Sequence, residues 1–485
     1  MKKIILLLSN ILFSTVIFSQ QICFPISFHK NNVLPANDAL YTNGLKAAPY
    51  QNLDKDPKVF AIQGWKHKDQ TFTWNVTVAQ KGNYIVALLL EVKGLSLHQV
   101  VAIDLISRHK KIVLKTSNTK WNKFFFPEPI WLNKGDNQLH LELAGISRED
   151  SVAMSIYSVE VATKEVLVRN NISARILRSK PKWFTDAKYG LFFHWNARSM
   201  PRSGLPKSYE EAVNDFDVVR FAAMVHATGA DFIVLTTSWD LFTFPAPLKS
   251  VEKMSPGNTT TRDLITDLSE ELMKWHIKLM LYCNFRINAM GWKREDRFIP
   301  GKTDSVFDKM IAIYSEIGQR YAGKIGGVWI DDGMGLYPYN APFEAITSAL
   351  KRFDKKIVVG YNSWIYPRFT DFQDFYCGEE GITSEAAVND SIYLPAGGDG
   401  YFISGPYKNL KATFCGLLEP GNWTHTQPDK QIPSPLLTAS RLTSILRKAI
   451  LRKNVPIMNT EVYQDGSISD ETFKLLKTAN KSIHQ

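Results

Sequence analysis

The sequence predicts an α/β fold in which a (β/α)8 TIM-like barrel follows an N-terminal β-sandwich. The chain has 485 residues, more than the roughly 100–200 residues typical of one domain. Hydrophobic residues make up 45% and charged residues 22% of it, a balance that excludes disordered, collagen-like and polytopic membrane chains. The hydrophobic pattern has a period of two in the first third and then changes to apolar runs that alternate with helical patterns.

The first 20 residues are predicted to be a secretory signal peptide. Lys2 and Lys3 precede an apolar run over residues 4–18, and polar residues follow it. The run has 15 residues, fewer than the about 20 that a transmembrane helix needs. We therefore expect export to the periplasm or the medium, with no integral membrane segment after cleavage. A lipoprotein anchored at Cys23 is the less favoured alternative, because the two residues before it do not fit a lipoprotein signal.

Residues 24–165 are predicted to form a β-sandwich. The stretch Phe72–Val76 alternates apolar and polar residues, and turn sequences such as Lys134–Asn137 separate runs of this kind. Many short strands between such turns are typical of two packed sheets. The stretch Leu132–Leu141 resembles a late strand of carbohydrate-binding sandwich modules, although a purely structural accessory domain fits the same pattern. Residues 166–182 are predicted to be the linker to the next domain.

Residues 183–485 are predicted to form the barrel, because they hold eight runs that are apolar on both faces, as buried parallel strands are. The runs are Tyr189–Trp195, Asp231–Thr237, Lys278–Phe285, Gly326–Asp332, Lys356–Asn362, Phe372–Gly378, Ala412–Leu418 and Val455–Thr460. The helical patterns between them are Phe216–Thr228, Arg262–His276, Ser305–Ala322, Phe343–Phe353 and Pro435–Lys453. The connection between the fifth and sixth runs is too short for a regular helix, so we expect an irregular barrel. A doubly wound sheet is the alternative.

Carboxylates, amides, tryptophans and a histidine stand at the ends of the predicted strands. Chemistry in a TIM barrel lies at the carboxyl ends of the strands, so these side chains should meet at one face. They are His194, Trp195, Trp239, Tyr282, Asn284, Asp331, Asn362, Trp364, Glu379 and Glu380. Tryptophan can stack on the apolar face of a sugar, polar groups can bind its hydroxyls, and two carboxylates can cleave a glycosidic bond. Phosphate-binding loops and the zinc-protease motif are not found in the sequence.

One longer stretch carries a family resemblance. Trp183–Trp195, with the sequence WFTDAKYGLFFHW, resembles the first barrel strand of the α-L-fucosidases of glycoside hydrolase family 29. Later matches keep the order of that family and cover Gly229–Thr236, Arg262–Leu264, Val328–Asp331, Asp374–Glu379 and Asn454–Asn459. The resemblance extends over about residues 180–480. It implies hydrolysis of terminal α-L-fucosyl residues from glycans by a retaining mechanism that needs no cofactor and no metal.

The resemblance also implies roles for individual residues. Asp331 matches the nucleophile and Glu379 the acid/base, with Glu380 as the alternative because the two glutamates are adjacent. Asp331 could instead cap a helix, although Asp332 fits that role better. Substrate contacts are expected from His194, Trp195, Trp239, Tyr282, Asn362 and Trp364. Core packing is the alternative for the histidine and the three tryptophans.

The sequence departs from the family where the sugar is usually bound. Thr237–Phe242 replaces the usual Lys-His-His-Asp-Gly-Phe run, so two histidines are missing. Asn362–Trp364 replaces the usual Asn-Asp-Arg run, so an arginine is missing unless Arg368 substitutes for it. We therefore expect a divergent member. A glycosidase of the same fold that acts on another sugar, or a catalytically inactive glycan-binding protein, are the alternatives.

The net charge indicates which ligands to expect, and the cysteine spacing indicates whether disulfides or a metal site are expected. The formal net charge is +11, which falls to about +9 without the two lysines of the signal peptide and would suit an acidic or sulfated polysaccharide. No dense Lys/Arg run is found, so nucleic acid is not an expected partner. The four cysteines are too widely spaced for a disulfide framework or a metal site. We predict that Cys283 and Cys377 are buried free thiols.

Overall fold

The computed structural model describes fourteen segments of the chain. They are residues 22–42, 44–47, 61–93, 101–105, 110–114, 121–146, 153–239, 242–285, 302–331, 333–363, 368–379, 398–404, 407–420 and 422–483. The predicted signal peptide, Trp364 and Glu380 lie outside the described residues. Within these segments, no helix has the length and apolar character needed to cross a membrane.

The N-terminal part folds into two sheets that share one core. Its strands are β1 (Cys23–Ile26), β2 (Asn32–Pro35), β3 (Leu40–Tyr41), β4 (Lys46–Ala47), β5 (Ile62–Trp65), β6 (Thr71–Val78), β7 (Gly82–Lys93), β8 (Val101–Leu105), β9 (Lys110–Leu114), β10 (Asn122–Phe125), β11 (Ile130–Leu132), β12 (Gly135–Ile146) and β13 (Ala153–Ala162). One sheet has the order β1-β6-β12-β8-β9 with β3 on β6, and the other has β10-β7-β13-β5-β4 with β11 on β7 and β2 on β13. The alternation along β6 buries Phe72, Trp74 and Val76, which pack in a common core with residues of β7 and β13.

The predicted linker over 166–182 contains a helix, α1 (Lys164–Leu177). It begins because the Thr163 side chain accepts a hydrogen bond from the Val166 N–H, which satisfies one of the free donors of the first turn. The apolar pattern does not predict this helix, since the residues that it buries are Val166 and Ala174 while Ile172 and Ile176 stay exposed. An apolar stripe this sparse does not produce a helical period.

Seven parallel strands form the sheet of the second domain. They are β14 (Gly190–Phe193), β15 (Phe232–Ser238), β16 (Lys278–Cys283), β17 (Ile325–Ile330), β18 (Val358–Tyr361), β19 (Thr413–Leu417) and β20 (Val455–Thr460). Their order is β18-β17-β16-β15-β14-β20-β19. The first strand of this domain therefore pairs with the last, as it does in a barrel. A doubly wound sheet instead reverses its strand order in the middle.

The predicted sixth strand, Phe372–Gly378, is wrong as a regular strand. The structure has an isolated parallel bridge there, between Phe375 and Lys411. The segment nevertheless bonds on both sides, because Asp374 N donates to Val359 O at 2.8 Å and Tyr376 N donates to Lys411 O at 2.9 Å. A side chain interrupts the ladder, since Val359 N donates to the Asp374 carboxylate at 2.7 Å. Within the described segments the sheet thus has seven regular strands and one irregular closing segment, not eight regular strands.

The helices of this domain lie before, between and after its strands along the chain. They are α2 (Lys182–Asp186), α3 (Tyr209–Asn214), α4 (Val218–Thr228), α5 (Lys249–Met254), α6 (Leu264–Lys274), α7 (Lys302–Arg320), α8 (Gly333–Leu336), α9 (Phe343–Lys351), α10 (Ala439–Leu451) and α11 (Asp470–Ile483). Helices α4 and α6 begin two residues later than predicted, because the side chains of Asp217 and Asp263 cap them. Cys283, Cys377 and Cys415 are buried and free, which confirms the prediction for the first two.

The two domains share an apolar interface. Tyr157 of β13 stacks on Tyr337 and Phe369 of the barrel, with ring centroids 6.0 and 5.8 Å apart. Phe369 belongs to the connection between β18 and the irregular segment. The described part of that connection, residues 368–372, holds no helix. The sandwich therefore packs against the described part of this connection.

Candidate active site

The carboxyl ends of the barrel strands bring most of the predicted site residues together. His194 follows β14, Trp239 follows β15, Asp331 follows β17 and Asn362 follows β18, while Tyr282 lies near the end of β16. These strands are neighbours in the sheet, so their carboxyl ends lie side by side. The order in which the candidates appear along the sequence is therefore also their order around the site.

Asp331 is held by side chains from the neighbouring strands. Its Oδ2 accepts hydrogen bonds from the Tyr282 hydroxyl at 2.5 Å and from Asn284 Nδ2 at 3.0 Å. Its Oδ1 accepts one from Asn362 Nδ2 at 2.7 Å. A helix cap would instead accept from backbone N–H groups of the following turn. These contacts orient the carboxylate across the sheet, and the carboxylate itself is partly exposed.

Asn362 links the two predicted catalytic carboxylates. Its Nδ2 donates to Glu379 Oε1 at 2.5 Å as well as to Asp331 Oδ1 at 2.7 Å. Because both bonds share one nitrogen, the two oxygens are separated by no more than the sum of these distances, about 5.2 Å. Asn362 itself is 2% exposed. We predicted it as a substrate contact, but the structure gives both of its amide hydrogens to the carboxylates.

His194 lies at the inner wall of the site as a neutral ring. Its Nδ1 lies 2.7 Å from Asn459 Oδ1, and Asn459 Nδ2 donates to Trp423 O at 3.2 Å. The second bond fixes the amide orientation, so Nδ1 carries the proton and donates it to Asn459. Burial lowers the pKa of His194 to about 4, against the opposing effect of the Asn459 bond. At neutral pH the other ring nitrogen, Nε2, is therefore a hydrogen-bond acceptor.

The neutral state of His194 makes stability depend on pH. The unfolded ring binds a proton below pH 6.5 while the folded ring stays neutral down to about pH 4. Folding stability from this group is therefore lost as the pH falls through that window, by about 3 kcal/mol. We expect His194→Gln to remove this part of the acid destabilisation, measured by urea unfolding at pH 7 and pH 4.5. His67→Gln, at an exposed histidine, is the control, and equal pH dependence in both variants would contradict the prediction.

Aromatic rings surround His194. The ring centroid of Trp239 lies 6.1 Å from that of His194 in an edge-on contact, and the centroid of Trp423 lies 5.1 Å away with the rings tilted. Both tryptophans are partly exposed. Phe192 stacks on the ring at 4.2 Å. The structure therefore places Trp239 beside His194. Trp423 was not predicted, because it lies in a loop and belongs to no strand-end pattern.

Trp195 does not belong to the site. Its indole is 1% exposed, donates to Gln464 O at 2.9 Å and packs edge-on against Phe216. Successive side chains of an extended segment point to opposite faces, so His194 faces the site and Trp195 faces the helices. The core-packing alternative is the correct one for this residue, and its prediction as a substrate contact is wrong.

Two further polar residues hold site residues in place through hydrogen bonds. Asn284 supports Asp331, and Asn459 supports His194. Asn284 is one of the strand-end residues that the sequence predicted. Asn459 was not predicted, although it is also an amide at the end of an apolar run, a signal that could have identified it. Among the described residues, no group of three or more His, Cys, Asp or Glu side chains has a metal-binding arrangement.

A cleft of about 1300 Å³ between the sandwich and the barrel lies apart from this site. Charged residues of both signs line it, and several are paired: Lys123 lies 2.6 Å from Glu160, and Arg368 lies 2.9 Å from Asp371. Neither of the two linked carboxylates lines it. We therefore take the carboxylates and the wall around His194 as the candidate active site.

Known families and curated proteins give no match to this chain. Several solved structures are similar to it. An endo-fucoidan hydrolase of glycoside hydrolase family 107 has a TM-score of 0.48 at 12% identity, over 64% of this chain and 53% of its own, so this chain spans about half the length of that hydrolase. The α-L-fucosidase of Lactobacillus casei in complex with its α-L-fucose product has a TM-score of 0.42 at 17% identity. The match covers 62% of this chain and 97% of that fucosidase. The α-fucosidase of Thermotoga maritima has a TM-score of 0.41 at 16% identity, and the match covers 66% of this chain and 75% of that protein.

Proposed function

We propose that this protein is an exported glycoside hydrolase that releases terminal α-L-fucosyl residues from glycans with retention of configuration. One observation carries the proposal: a single buried amide donates to both Asp331 and Glu379, which limits the separation of their oxygens to about 5.2 Å. Retaining glycosidases place their two carboxyl groups about 5–5.5 Å apart, whereas inverting ones need about 6.5–9.5 Å to admit a water molecule.

The two carboxylates divide the reaction between them. Asp331, oriented by Tyr282, Asn284 and Asn362, attacks the anomeric carbon. Glu379 protonates the leaving oxygen as the glycosidic bond breaks. In the second half Glu379 takes a proton from water, which attacks the same carbon and releases Asp331. The supporting side chains keep Asp331 aimed throughout, so less orientation entropy is lost in reaching the transition state.

The wall around His194 provides the recognition. A neutral imidazole can accept a hydrogen bond from a sugar hydroxyl through Nε2, and the faces of Trp239 and Trp423 can cover apolar C–H groups and the methyl group of a 6-deoxy sugar. Export is supported by the N-terminal sequence pattern, and an acidic or sulfated glycan by the charge of about +9 on the mature chain. The periplasm or the medium would then be the place of action.

A second candidate is a glycosidase of the same fold for another sugar. Trp239 favours it, because it stands within the run that replaces the histidine pair of the resembling family and occupies the wall of the site. Loss of two imidazole donors changes which hydroxyls can be bound. An inactive glycan-binding protein is less well supported, since one amide holds the two carboxylate oxygens within about 5.2 Å of each other.

The proposal is tested by assaying the purified mature chain against a panel of aryl glycosides. We expect hydrolysis of the α-L-fucoside above all others, because of the resemblance and the tryptophans around His194. Proton NMR during the first turnovers should show α-L-fucose before mutarotation, as two displacements at one carbon require. Preference for a different sugar would support the second candidate, and β-L-fucose as the first product would overturn the retaining mechanism.

A further inference from the structure

The loop that follows Asp331, which contains the short helix α8 and a 3-10 turn over Tyr337–Tyr339, packs against the sandwich domain. Tyr337 in this loop is 2% exposed and stacks on Phe369 with a centroid distance of 4.4 Å. Its hydroxyl donates to Glu160 at 2.5 Å and lies 3.0 Å from the Ser158 hydroxyl, both on β13 of the sandwich. At the end of the loop, Asn340 Oδ1 accepts from Val33 N at 2.7 Å. The sandwich therefore contacts this loop through buried polar bonds at several points.

One of these bonds continues into the active site. The Tyr157 hydroxyl donates to Met334 O at 3.1 Å, and Met334 N donates to Asn362 O at 3.1 Å. Asn362 in turn bridges Asp331 and Glu379. A series of hydrogen bonds through a single loop residue thus connects the sandwich to both carboxylates.

The close approach of the loop to Asn362 depends on a glycine. A Cβ at Gly333 would lie 2.7 Å from Asn362 O and 3.0 Å from the Tyr361 Cβ. Neighbouring backbone cannot yield as a flexible side-chain tip can, so a larger residue would push the loop away. Glycine at position 333 therefore permits the close packing of the loop on Asn362, and the hydrogen bond from Tyr157 to Met334 then stabilises it.

We infer that the N-terminal sandwich positions the two carboxylates of the barrel, with Tyr157 as the positioning residue that acts through Met334 and Asn362. The inference rests on the proposed function for its catalytic consequence. It assigns the sandwich a role within the active domain, in addition to the glycan-binding or purely structural roles that its sequence left open. Tyr157 itself touches neither carboxylate.

The experiment compares Tyr157→Phe with Tyr84→Phe in the full mature chain. Both tyrosines are buried in the sandwich, and each hydroxyl donates to a backbone carbonyl, of Met334 and of Gln80 respectively. Both variants keep the ring and lose one hydrogen bond. Kinetics on aryl α-L-fucoside and amide hydrogen exchange of Met334 by NMR or mass spectrometry are measured for each.

We expect Tyr157→Phe to lower kcat about three- to tenfold, as loss of one hydrogen bond allows, with KM within about twofold of the parent value. Exchange of the Met334 amide should become faster, while Tyr84→Phe leaves both quantities unchanged. Unchanged kcat and unchanged Met334 exchange in Tyr157→Phe, or equal changes in the two variants, would overturn the inference. If the parent chain cleaves no sugar of the panel, the proposed function fails, and Met334 exchange alone decides the positioning role.

Discussion

Replacing Asp331 with glycine should lower kcat for aryl α-L-fucoside on the order of 10³–10⁶-fold, the range found when a covalent nucleophile is removed. The reason lies in the three donors that point at this carboxylate: the Tyr282 hydroxyl, Asn284 and Asn362. Without Asp331 they face an empty space, and no oxygen remains to attack the anomeric carbon. The measurement is steady-state release of the aryl alcohol.

Azide identifies the lost group as a nucleophile. In Asp331→Gly a small anion can enter the vacated space and form a C–N bond to the anomeric carbon, while the C–O bond to a good leaving group breaks. The expected product is the glycosyl azide of inverted, β configuration, detected by NMR. Asp332→Asn, at the adjacent carboxylate of the sequence, is the control and should keep its activity. Full activity in Asp331→Gly, or loss in the control alone, would place the nucleophile elsewhere.

Two residues of the run that stands where the resembling family has Lys-His-His support the groups around Asp331. The Thr237 hydroxyl donates to Tyr282 O at 2.8 Å, and the Ser238 hydroxyl donates to Asn284 O at 3.0 Å. Tyr282 and Asn284 are two of the three donors to the Asp331 carboxylate. This run therefore supports two of the groups that orient the proposed nucleophile.

The sequence predicts those strands whose side chains are buried on both faces of the sheet. Runs such as Phe232–Ser238 are buried at every position, and such runs stand out in a sequence without knowledge of their partners. The segment around Asp374 was predicted as a strand for the same reason. Its irregularity depends on a carboxylate that bonds the neighbouring backbone, and this tertiary contact has no local signature. Helix α1 escaped prediction because it buries few apolar residues.

The site was predictable at strand ends and unpredictable beyond them. Asp331, Tyr282 and His194 lie at or next to strand termini, where topology alone brings them together. Trp195 was assigned wrongly because a list of strand-end residues does not distinguish the two faces of an extended chain. The bridging role of Asn362 could not be foreseen, since it depends on the distances of two other side chains. Trp423 comes from a loop with no periodic pattern.

An ion pair beneath the site should be the most sensitive point of the fold. Lys351 and Asp374 are 3% and 2% exposed at their side chains and lie 2.5 Å apart. Lys351 Nζ also donates to Leu177 O at 2.8 Å and to the Ser179 hydroxyl at 3.1 Å. Asp374 accepts in addition from Ser179 N and Val359 N, each at 2.7 Å. The pair therefore joins the end of helix α9, the segment after α1 and the irregular segment that leads to Glu379.

We expect Lys351→Met to lower the free energy of unfolding by about 3–5 kcal/mol, because it leaves the Asp374 carboxylate buried without its counter-charge. Urea unfolding at pH 7 measures the loss. Lys324→Met is the matched control, since Lys324 forms an exposed pair with Glu270 at 3.2 Å, and exposed pairs contribute about 0–1 kcal/mol. Equal losses in the two variants would contradict the prediction.

The double variant Lys351→Met with Asp374→Asn separates the charge from the packing. Asparagine keeps an oxygen that can accept from Val359 N or Ser179 N, and it carries no charge that needs Lys351. If the uncompensated carboxylate is the main cost, the double variant should recover part of the stability that Lys351→Met loses. Since Glu379 lies five residues beyond Asp374, recovered stability together with fucoside hydrolysis slower than that of the parent chain would show that this segment also sets the position of the proposed acid. Stability below that of Lys351→Met would instead mean that the hydrogen bonds of the carboxylate outweigh its charge.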